Sequence, residues 1–324
     1  MNQHHLQKTI EPDLKRIAMM QQNIADFHKI FESNNREKLG LFLRHQAKSY
    51  YFIWPPIWRI LLRQMVSKDR ALPAFTSTGV VRSGTSSMSN YIMQHPAILL
   101  PIAKELNANI PRLSFIRAQF PTNAEVEKVR QKFGVAMTGD CSPVMPSMTA
   151  LFWLKPINPD MKIIVTLRDP VERTISHWRW YKLISSRFDK DPLWQNMPDV
   201  ETVLRLEMED FYRGTTGFTP FSGIGGTGFV RHSCYLPFLK QLYQQVPAEN
   251  IHIVSAEEFF EKPNEITKGV YRFLGLPEYE PVEIIETNPS PKVPVSAELK
   301  QELATFFQPL NEELYQFLGR DMGW

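Results

Sequence analysis

A short apolar run in the second half of the chain constrains the fold most strongly. Residues 162–167 read Lys-Ile-Ile-Val-Thr-Leu. Such a nearly continuous run is typical of a strand buried on both faces of a parallel sheet. Pro170 follows soon after, and proline suits the first turn of a helix. The run therefore predicts a buried strand that leads directly into a helix.

Further strands and helices alternate along the rest of the chain. Strands are predicted over 74–81 and 251–255, with a weaker candidate over 135–138. The helical patterns cover about 85–94, 199–213, 230–245, 263–274 and 296–318. Strands that alternate with helices predict an α/β fold, with a central parallel sheet flanked by helices. The segment 214–228 contains six glycines and is interpreted as a mobile surface loop or lid.

The first 70 residues predict a helical extension packed on a main domain, 71–324. An amphipathic stripe supports this interpretation, and it comprises Ile10, Leu14, Ile17, Met20, Ile24 and Phe27. The apolar stretch 50–62 is too short to span a membrane, which takes about 20 residues. Contact of residues 50–66 with a membrane surface is a weaker alternative, because basic side chains lie in and around them.

Composition excludes several classes of protein. Hydrophobic residues make up 43% of the 324 residues and charged residues 22%, which is typical of a globular chain. The net charge of +3 does not suggest a nucleic-acid-binding protein. Two cysteines exclude a disulfide scaffold and favour a reducing compartment, and residues 1–8 do not resemble a secretory signal. We therefore expect a cytoplasmic protein, and no histidine or cysteine spacing predicts a metal site.

The segment 78–87, Thr-Gly-Val-Val-Arg-Ser-Gly-Thr-Ser-Ser, lies where the first predicted strand meets a helix. Glycines allow the tight turn there, and the helix N-terminus favours an anion. The spacing of Gly79 and Gly84 fits part of a Walker A loop, but Thr85 replaces its lysine. Arg82 supplies a cation from within the loop instead. The alternative is a plain strand–turn–helix with one exposed arginine.

A second candidate anion site follows the strand 162–167. Arg168 stands at the carboxyl end of that strand, where α/β sheets bind ligands. Ser176 follows eight residues later, so both side chains can face one phosphate group. Arg173 lies near the same face. The alternative is a structural network in which the two arginines pair with Asp169 and Glu172.

Together these segments resemble the nucleotide-binding motifs of sulfotransferases that use 3′-phosphoadenosine 5′-phosphosulfate (PAPS). The nearest resemblance is to the carbohydrate branch, which includes the heparan sulfate sulfotransferases. Residues 79–87 match its first motif, although Arg82 replaces the usual lysine and Val81 the usual arginine. Residues 168–176 match the second motif at every defined position. The pairs 95–96 and 104–105 and the ending 306–324 also match in order. The segment 139–143 is similar to a further motif, with Asp140 in place of the usual glutamate, so the resemblance covers about 74–324.

The resemblance implies a P-loop-like fold and a role for each matched residue. The 5′-phosphosulfate would be held by Arg82, Ser83, Gly84, Thr85, Ser86 and Ser87. Arg168 and Ser176 would hold the 3′-phosphate, Phe229 would lie near the nucleotide, and Lys292 is a candidate to cover it. Glu105 would be the catalytic base, with Lys104 and Arg82 near the transferred group. Asp140 would orient Glu105 or contact the acceptor, and His177 is a rival base.

The function expected from this resemblance is sulfuryl transfer from PAPS to a hydroxyl or amine, by in-line displacement with a glutamate base. The products would be a sulfated small molecule or carbohydrate and 3′-phosphoadenosine 5′-phosphate, with no metal involved. Two alternatives stay open. One is a nucleotide-dependent kinase on a similar loop, and the other is a non-catalytic binding protein with a sulfotransferase-like fold.

Overall fold

The computed structural model describes residues 57–102, 113–142, 158–187, 199–212, 228–281 and 293–324. The chain divides into two compact units. The described residues of the sheet unit are 57–102, 113–142, 158–169 and 237–281. Those of the helical unit are 170–187, 199–212, 228–236 and 293–324. The boundary predicted at residue 70 stays a prediction, because residues 1–56 lie outside the described part, as does the predicted amphipathic stripe.

The sheet unit is built on five parallel strands. They are β1 (Phe75–Gly79), β2 (Ile98–Leu99), β3 (Met137–Asp140), β4 (Lys162–Leu167) and β5 (Ile251–Ser255). Their order across the sheet is β2-β3-β1-β4-β5, with every neighbouring pair parallel. All five residues of β1 are buried, and β4 is buried from Ile163 onward. The predicted α/β fold with a central parallel sheet is thus confirmed.

Helices cover the sheet and complete the core of this unit. They are α1 (Ile57–Gln64), α2 (Thr85–Ile92), α3 (Leu113–Arg117) and α4 (Asn123–Phe133), and, after β5, α8 (Ala256–Glu261) and α9 (Pro263–Leu274). The apolar core joins side chains of the strands to side chains of α2, α8 and α9, among them Phe75, Ile164, Val254 and Tyr271. This packing fixes the position of α2, which starts where β1 ends.

Capping residues define the ends of the sheet-unit helices. At the start of α4, the Thr122 hydroxyl accepts a bond from the Glu125 amide (3.2 Å), while the Glu125 carboxylate accepts one from the Thr122 amide (2.7 Å). This reciprocal pair is a capping box. Gly134 ends the helix with a positive φ of 76°, which glycine adopts without a Cβ clash. Local hydrogen bonds therefore start and stop α4 independently of the sheet.

The helical unit consists of α5 (Pro170–Arg187), α6 (Val200–Tyr212) and α10 (Ala297–Leu318). A helix α7 (Tyr235–Gln245) begins in this unit and continues into the sheet unit. The apolar core lies among α5, α6 and α10, and it includes Ile175, Trp178, Leu204, Leu303 and Phe307. Arg205 on α6 bridges Glu302 on α10 at 2.8 Å and Glu201 at 3.0 Å.

The sequence located most of these elements. The strand 162–167 and the strand 251–255 have the predicted bounds, and Pro170 does begin a helix. Helix α7 begins at Tyr235 rather than 230, because a 3-10 turn occupies Arg231–Ser233. Most of the glycine-rich segment 214–228 lies outside the described residues. No helix in the described ranges is both long and apolar enough to cross a membrane.

Candidate functional site

The loop Val80–Gly84 joins β1 to α2 through two residues with positive φ. Arg82 has φ 75° and Gly84 has φ 83°, and the Ser83 amide closes a turn onto the Val80 carbonyl at 3.0 Å. Across the described ranges, Arg82 is the one non-glycine residue with positive φ. A bulky residue in this region is strained, and such strain concentrates at functional sites.

The glycine that ends β1 and the glycine that ends the loop are both required by close contacts. A Cβ at Gly79 would lie 2.5 Å from the Thr166 carbonyl oxygen on β4 and 2.8 Å from Thr85 Cγ2. A Cβ at Gly84 would meet the Phe260 ring at 3.1 Å, in a backbone conformation that already disfavours any side chain. The loop is therefore held tightly between the end of β4 and helix α8.

The loop presents the N-terminus of α2 as an anion site. The first amide groups of a helix have no acceptor within the helix, and Gly84 offers no side-chain cap to those of α2. Thr85 is buried, while Ser86 and Ser87 are partly exposed at the same helix end. The Ser83 hydroxyl is fully buried, and within the described ranges it has no hydrogen-bond partner. These donors suit a phosphate or sulfate group.

Arg168 reaches this loop from the end of β4. In the sheet register Gly79 pairs with Thr166, so the residues that follow both strands are neighbours. The Arg168 guanidinium donates from Nη1 to the Arg82 carbonyl at 3.2 Å. The next amide, that of Asp169, donates to the Glu257 carboxylate at 3.0 Å. The structure thus places Arg82 and Arg168, the two predicted cations, at one edge of the sheet.

Asp140 lies at the end of β3, one strand away from the loop. Its carboxylate is fully buried and accepts hydrogen bonds from the Thr76 hydroxyl at 3.3 Å and from the Ser142 hydroxyl at 2.8 Å. Thr76 is also its partner in the strand register. These bonds fix the carboxylate beside β1. Its predicted role toward Glu105 or the acceptor stays a prediction.

The remaining described motif residues belong to the helical unit. Arg173 is fully buried on α5, where it donates to the Ser233 hydroxyl at 2.6 Å and to the Phe229 carbonyl, and its Nη1 lies 3.2 Å from His177 Nδ1. Glu172 pairs with Lys300 at 2.8 Å. Through its bonds to Ser233 and Phe229, Arg173 ties the turn 228–234 to α5. The alternative network of Arg168 and Arg173 with Asp169 and Glu172 stays open.

His177, Phe229 and Ser176 are buried in the same unit. The His177 ring meets the Phe229 ring edge-on at 4.9 Å and stacks beside His232 at 6.0 Å. Phe229 is fully buried and also packs edge-on against Tyr181 at 5.6 Å. Burial among these rings gives His177 and Phe229 a packing role, and their predicted contacts with acceptor and nucleotide stay predictions. The role of Ser176 stays a prediction too.

Residues 78–300 match the family model of the sulfotransferase domain. The chain belongs to the sulfotransferase family. The membrane-associated sulfotransferase kil1 of Dictyostelium discoideum is 24% identical over 321 residues, covering 78% of this chain and 66% of that protein. The heparan sulfate glucosamine 3-O-sulfotransferase 3A1 of Mus musculus is 22% identical over 283 residues, covering 79% of this chain and 65% of that protein. The chain therefore spans slightly less than two thirds of the length of these relatives.

A solved sulfotransferase shares the fold of this chain. The crystal structure of a sulfotransferase from Alicyclobacillus acidocaldarius aligns with a TM-score of 0.52 at 22% identity, covering 78% of this chain and 97% of the other. At that identity the likeness concerns the fold. It agrees with the parallel five-stranded sheet flanked by helices.

Three predicted site residues lie outside the described residues. They are Lys104, Glu105 and Lys292, so the base, its neighbour and the covering lysine stay predictions. In the described ranges, no group of three or more His, Cys, Asp or Glu side chains is placed to hold a metal ion.

Sequence reasoning missed one buried titratable group, Glu207 on α6. Its Oε2 accepts from the Val230 amide at 2.6 Å, and Oε1 has no partner in the described part of the chain. Burial raises the pKa of this carboxyl to about 7, although the Val230 and Phe229 amides and Arg173 act in the opposite direction. A signal was present, because Glu207 shares the buried stripe of Val200, Val203 and Leu204.

Proposed function

We propose that this chain is a PAPS-dependent sulfotransferase. The observation that carries the proposal is the Arg168 guanidinium 3.2 Å from the Arg82 carbonyl. This contact brings the Arg168 cation to the backbone of the loop that carries Arg82 and leads into the N-terminus of α2, at the carboxyl edge of the sheet. A donor with a phosphosulfate and a separate 3′-phosphate needs such a concentration of positive charge, because arginine and helix N-termini both bind phosphate oxygens.

The residues present fit the donor. The loop 82–87 would bind the 5′-phosphosulfate through helix amides and hydroxyls, with Ser83 contributing a hydroxyl that lacks a partner in the described ranges. Arg168 would bind the 3′-phosphate, and Ser176 keeps the same assignment from its motif. Because Thr85 stands where an ordinary ATPase loop has lysine, the loop itself disfavours the kinase alternative.

The proposed reaction is an in-line displacement at sulfur. The acceptor oxygen forms a bond to sulfur while the bond between sulfur and the phosphate oxygen breaks, and the electron pair of that bond stays on the leaving phosphate. Arg82 would stabilise the negative charge that develops there. Glu105 would take the acceptor proton, which typically contributes about 10²–10⁴-fold to the rate. Lys104 would lie beside the transferred group.

We propose a carbohydrate or small molecule that carries a hydroxyl or an amine as the acceptor. The mouse relative is named for 3-O-sulfation of heparan sulfate glucosamine. The chain offers a net charge of only +3. This small excess of basic over acidic side chains gives the protein no general preference for long acidic glycans over small alcohols, phenols or amines. The acceptor panel should therefore include each of these classes.

The decisive experiment is transfer of labelled sulfur from PAPS to such an acceptor panel, together with calorimetric binding of 3′-phosphoadenosine 5′-phosphate. Arg168→Ala should weaken binding of that nucleotide by about 10- to 100-fold, which corresponds to a lost hydrogen bond to a charged group. Arg130→Ala is the matched control, because Arg130 is exposed on α4 and pairs with Glu127. Binding of ATP with magnesium in place of the nucleotide would refute the proposal in favour of a kinase.

A second variant tests the base. Glu105→Gln should keep nucleotide binding and lose most turnover, whereas Glu249→Gln should keep both, because Glu249 is exposed just before β5. Full turnover by a folded Glu105→Gln protein would contradict the assignment. Nucleotide binding by wild type without transfer to any acceptor would favour the non-catalytic alternative.

For location we propose the cytoplasm, with cell fractionation as the test. The relative kil1 is named as membrane-associated. Helix α1 and the turn after it expose Leu61, Leu62, Met65 and Val66 beside the exposed Arg59. Recovery of the chain in the membrane fraction, and its release when these four residues become serine, would replace the cytoplasmic proposal by membrane-surface contact.

A further inference from the structure

One exposed aromatic side chain lies directly beside the phosphate loop. Phe260 on α8 is 50% exposed, yet its Cζ lies only 3.1 Å from where a Cβ at Gly84 would be. In the described ranges the only other phenylalanine among the exposed large hydrophobic residues is Phe317, in the helical unit. Half of the Phe260 ring is therefore accessible to a ligand bound at the loop.

Phe260 is held in place by a buried aromatic neighbour. Its ring centroid lies 5.5 Å from that of Phe259, which is 1% exposed and meets Tyr91 of α2 edge-on at 5.3 Å. The helix that carries both rings begins directly after β5, with Ser255 accepting a bond from the Glu258 amide at 3.4 Å. The Phe260 ring is therefore preorganised by the core and does not depend on a flexible loop.

We propose that Phe260 is a stacking platform for the adenine base of the donor nucleotide. The inference rests on the proposed function and adds to it a residue that belongs to neither nucleotide-binding motif. Phosphate groups held by the loop place the rest of the nucleotide within reach of side chains that border the loop. A half-exposed ring there offers the apolar face that a purine needs, and an aromatic ring binds a base by stacking without reading its hydrogen-bonding edge.

The test separates binding of the base from binding of the phosphates. The full chain and its variants are titrated calorimetrically with two probes: 3′-phosphoadenosine 5′-phosphate and ribose 3′,5′-bisphosphate, which lacks the base. Loss of one stacked base corresponds to about a 5- to 150-fold change in affinity. We expect Phe260→Leu to weaken the first probe by such a factor and to leave the second unchanged. Phe260→Trp should retain tight binding of the first probe.

Phe133→Leu is the matched control. Phe133 ends α4, just before β3 begins, so it lies at the amino edge of the sheet, opposite to the loop. The Phe133→Leu protein should bind both probes as tightly as the wild type does. If wild type binds the nucleotide and Phe260→Leu binds it equally well, or loses both probes to the same extent, the stacking assignment is overturned while the proposed function stands. If wild type does not bind the nucleotide, both are overturned.

Discussion

Substitutions at Arg82 can separate the strain of the phosphate loop from its charge. Arg82 holds a φ of 75°, and its carbonyl accepts the bond from Arg168, so that bond persists whatever the side chain is. Arg82→Ala and Arg82→Gly both remove the guanidinium with all its contacts. The two variants therefore differ in how well residue 82 tolerates a left-handed backbone and in the conformational entropy that it loses on folding.

The expected difference follows from two opposing terms. Alanine in the left-handed region costs about 1–2 kcal/mol relative to glycine. Glycine loses about 0.4–1 kcal/mol more conformational entropy on folding. We therefore expect Arg82→Gly to be the more stable variant by about 1 kcal/mol, or about 1–2 °C in melting temperature for a chain of this length.

Chemical denaturation and thermal unfolding measure this difference directly. Arg130 in the middle of α4 provides the control, because there the glycine variant should be less stable than the alanine variant by about 1 kcal/mol. The reversal of sign between the two positions is the diagnostic result. If Arg82→Ala proved as stable as Arg82→Gly, the loop would not be strained at this residue. Both Arg82 variants should bind 3′-phosphoadenosine 5′-phosphate weakly, whereas Arg82→Lys should recover part of the affinity.

Two further predictions concern stability. Gly79→Ala should lower the free energy of unfolding by about 1–3 kcal/mol in chemical denaturation, because its Cβ would lie 2.5 Å from the Thr166 carbonyl oxygen. Gly269→Ala in α9 is the control and should not destabilise the protein, because a Cβ there would have no neighbour within 4 Å. Equal losses in the two variants would contradict the argument. Folding favours the protonated form of Glu207, because the pKa of this carboxyl is raised to about 7 in the folded protein. As pH rises from 4 to 8, the free energy of unfolding of wild type should therefore fall by about 3 kcal/mol relative to that of Glu207→Gln. Parallel pH–stability curves for the two proteins would show that the Glu207 carboxyl is not shifted.

The sequence was sufficient for strands and helices with a strong apolar pattern. The strands β4 and β5 carry long apolar or β-branched runs, and their bounds were predicted to the residue. The strand β2 has only two residues, which is too short for any periodicity to show. Helix α4 was not predicted, although Thr122 and Glu125 form its capping box and are visible in the sequence. Its single buried residue, Val126, explains why an apolar stripe did not reveal it.

For the candidate site, the motif residues were found but their surroundings were not. The sequence does not show that the Arg168 guanidinium donates to the Arg82 carbonyl, because this contact depends on the register of β1 against β4. The left-handed backbone at Arg82 is likewise invisible in a sequence that has no glycine there. Phe260 belongs to no motif, and only its place beside Gly84 distinguishes it from other aromatic residues.

Two arginines of one motif have different environments, and burial separates them. Arg168 is partly exposed at the sheet edge and lies at the loop, where a ligand can reach it. Arg173 is fully buried, and it is bonded to Ser233 and Phe229. A buried cation without such acceptors would be strongly unfavourable, so these bonds account for its presence in the core. The second motif therefore combines a partly exposed arginine at the loop, which we propose binds the nucleotide, with a buried one that stabilises the turn 228–234, and the spacing alone could not assign the two roles.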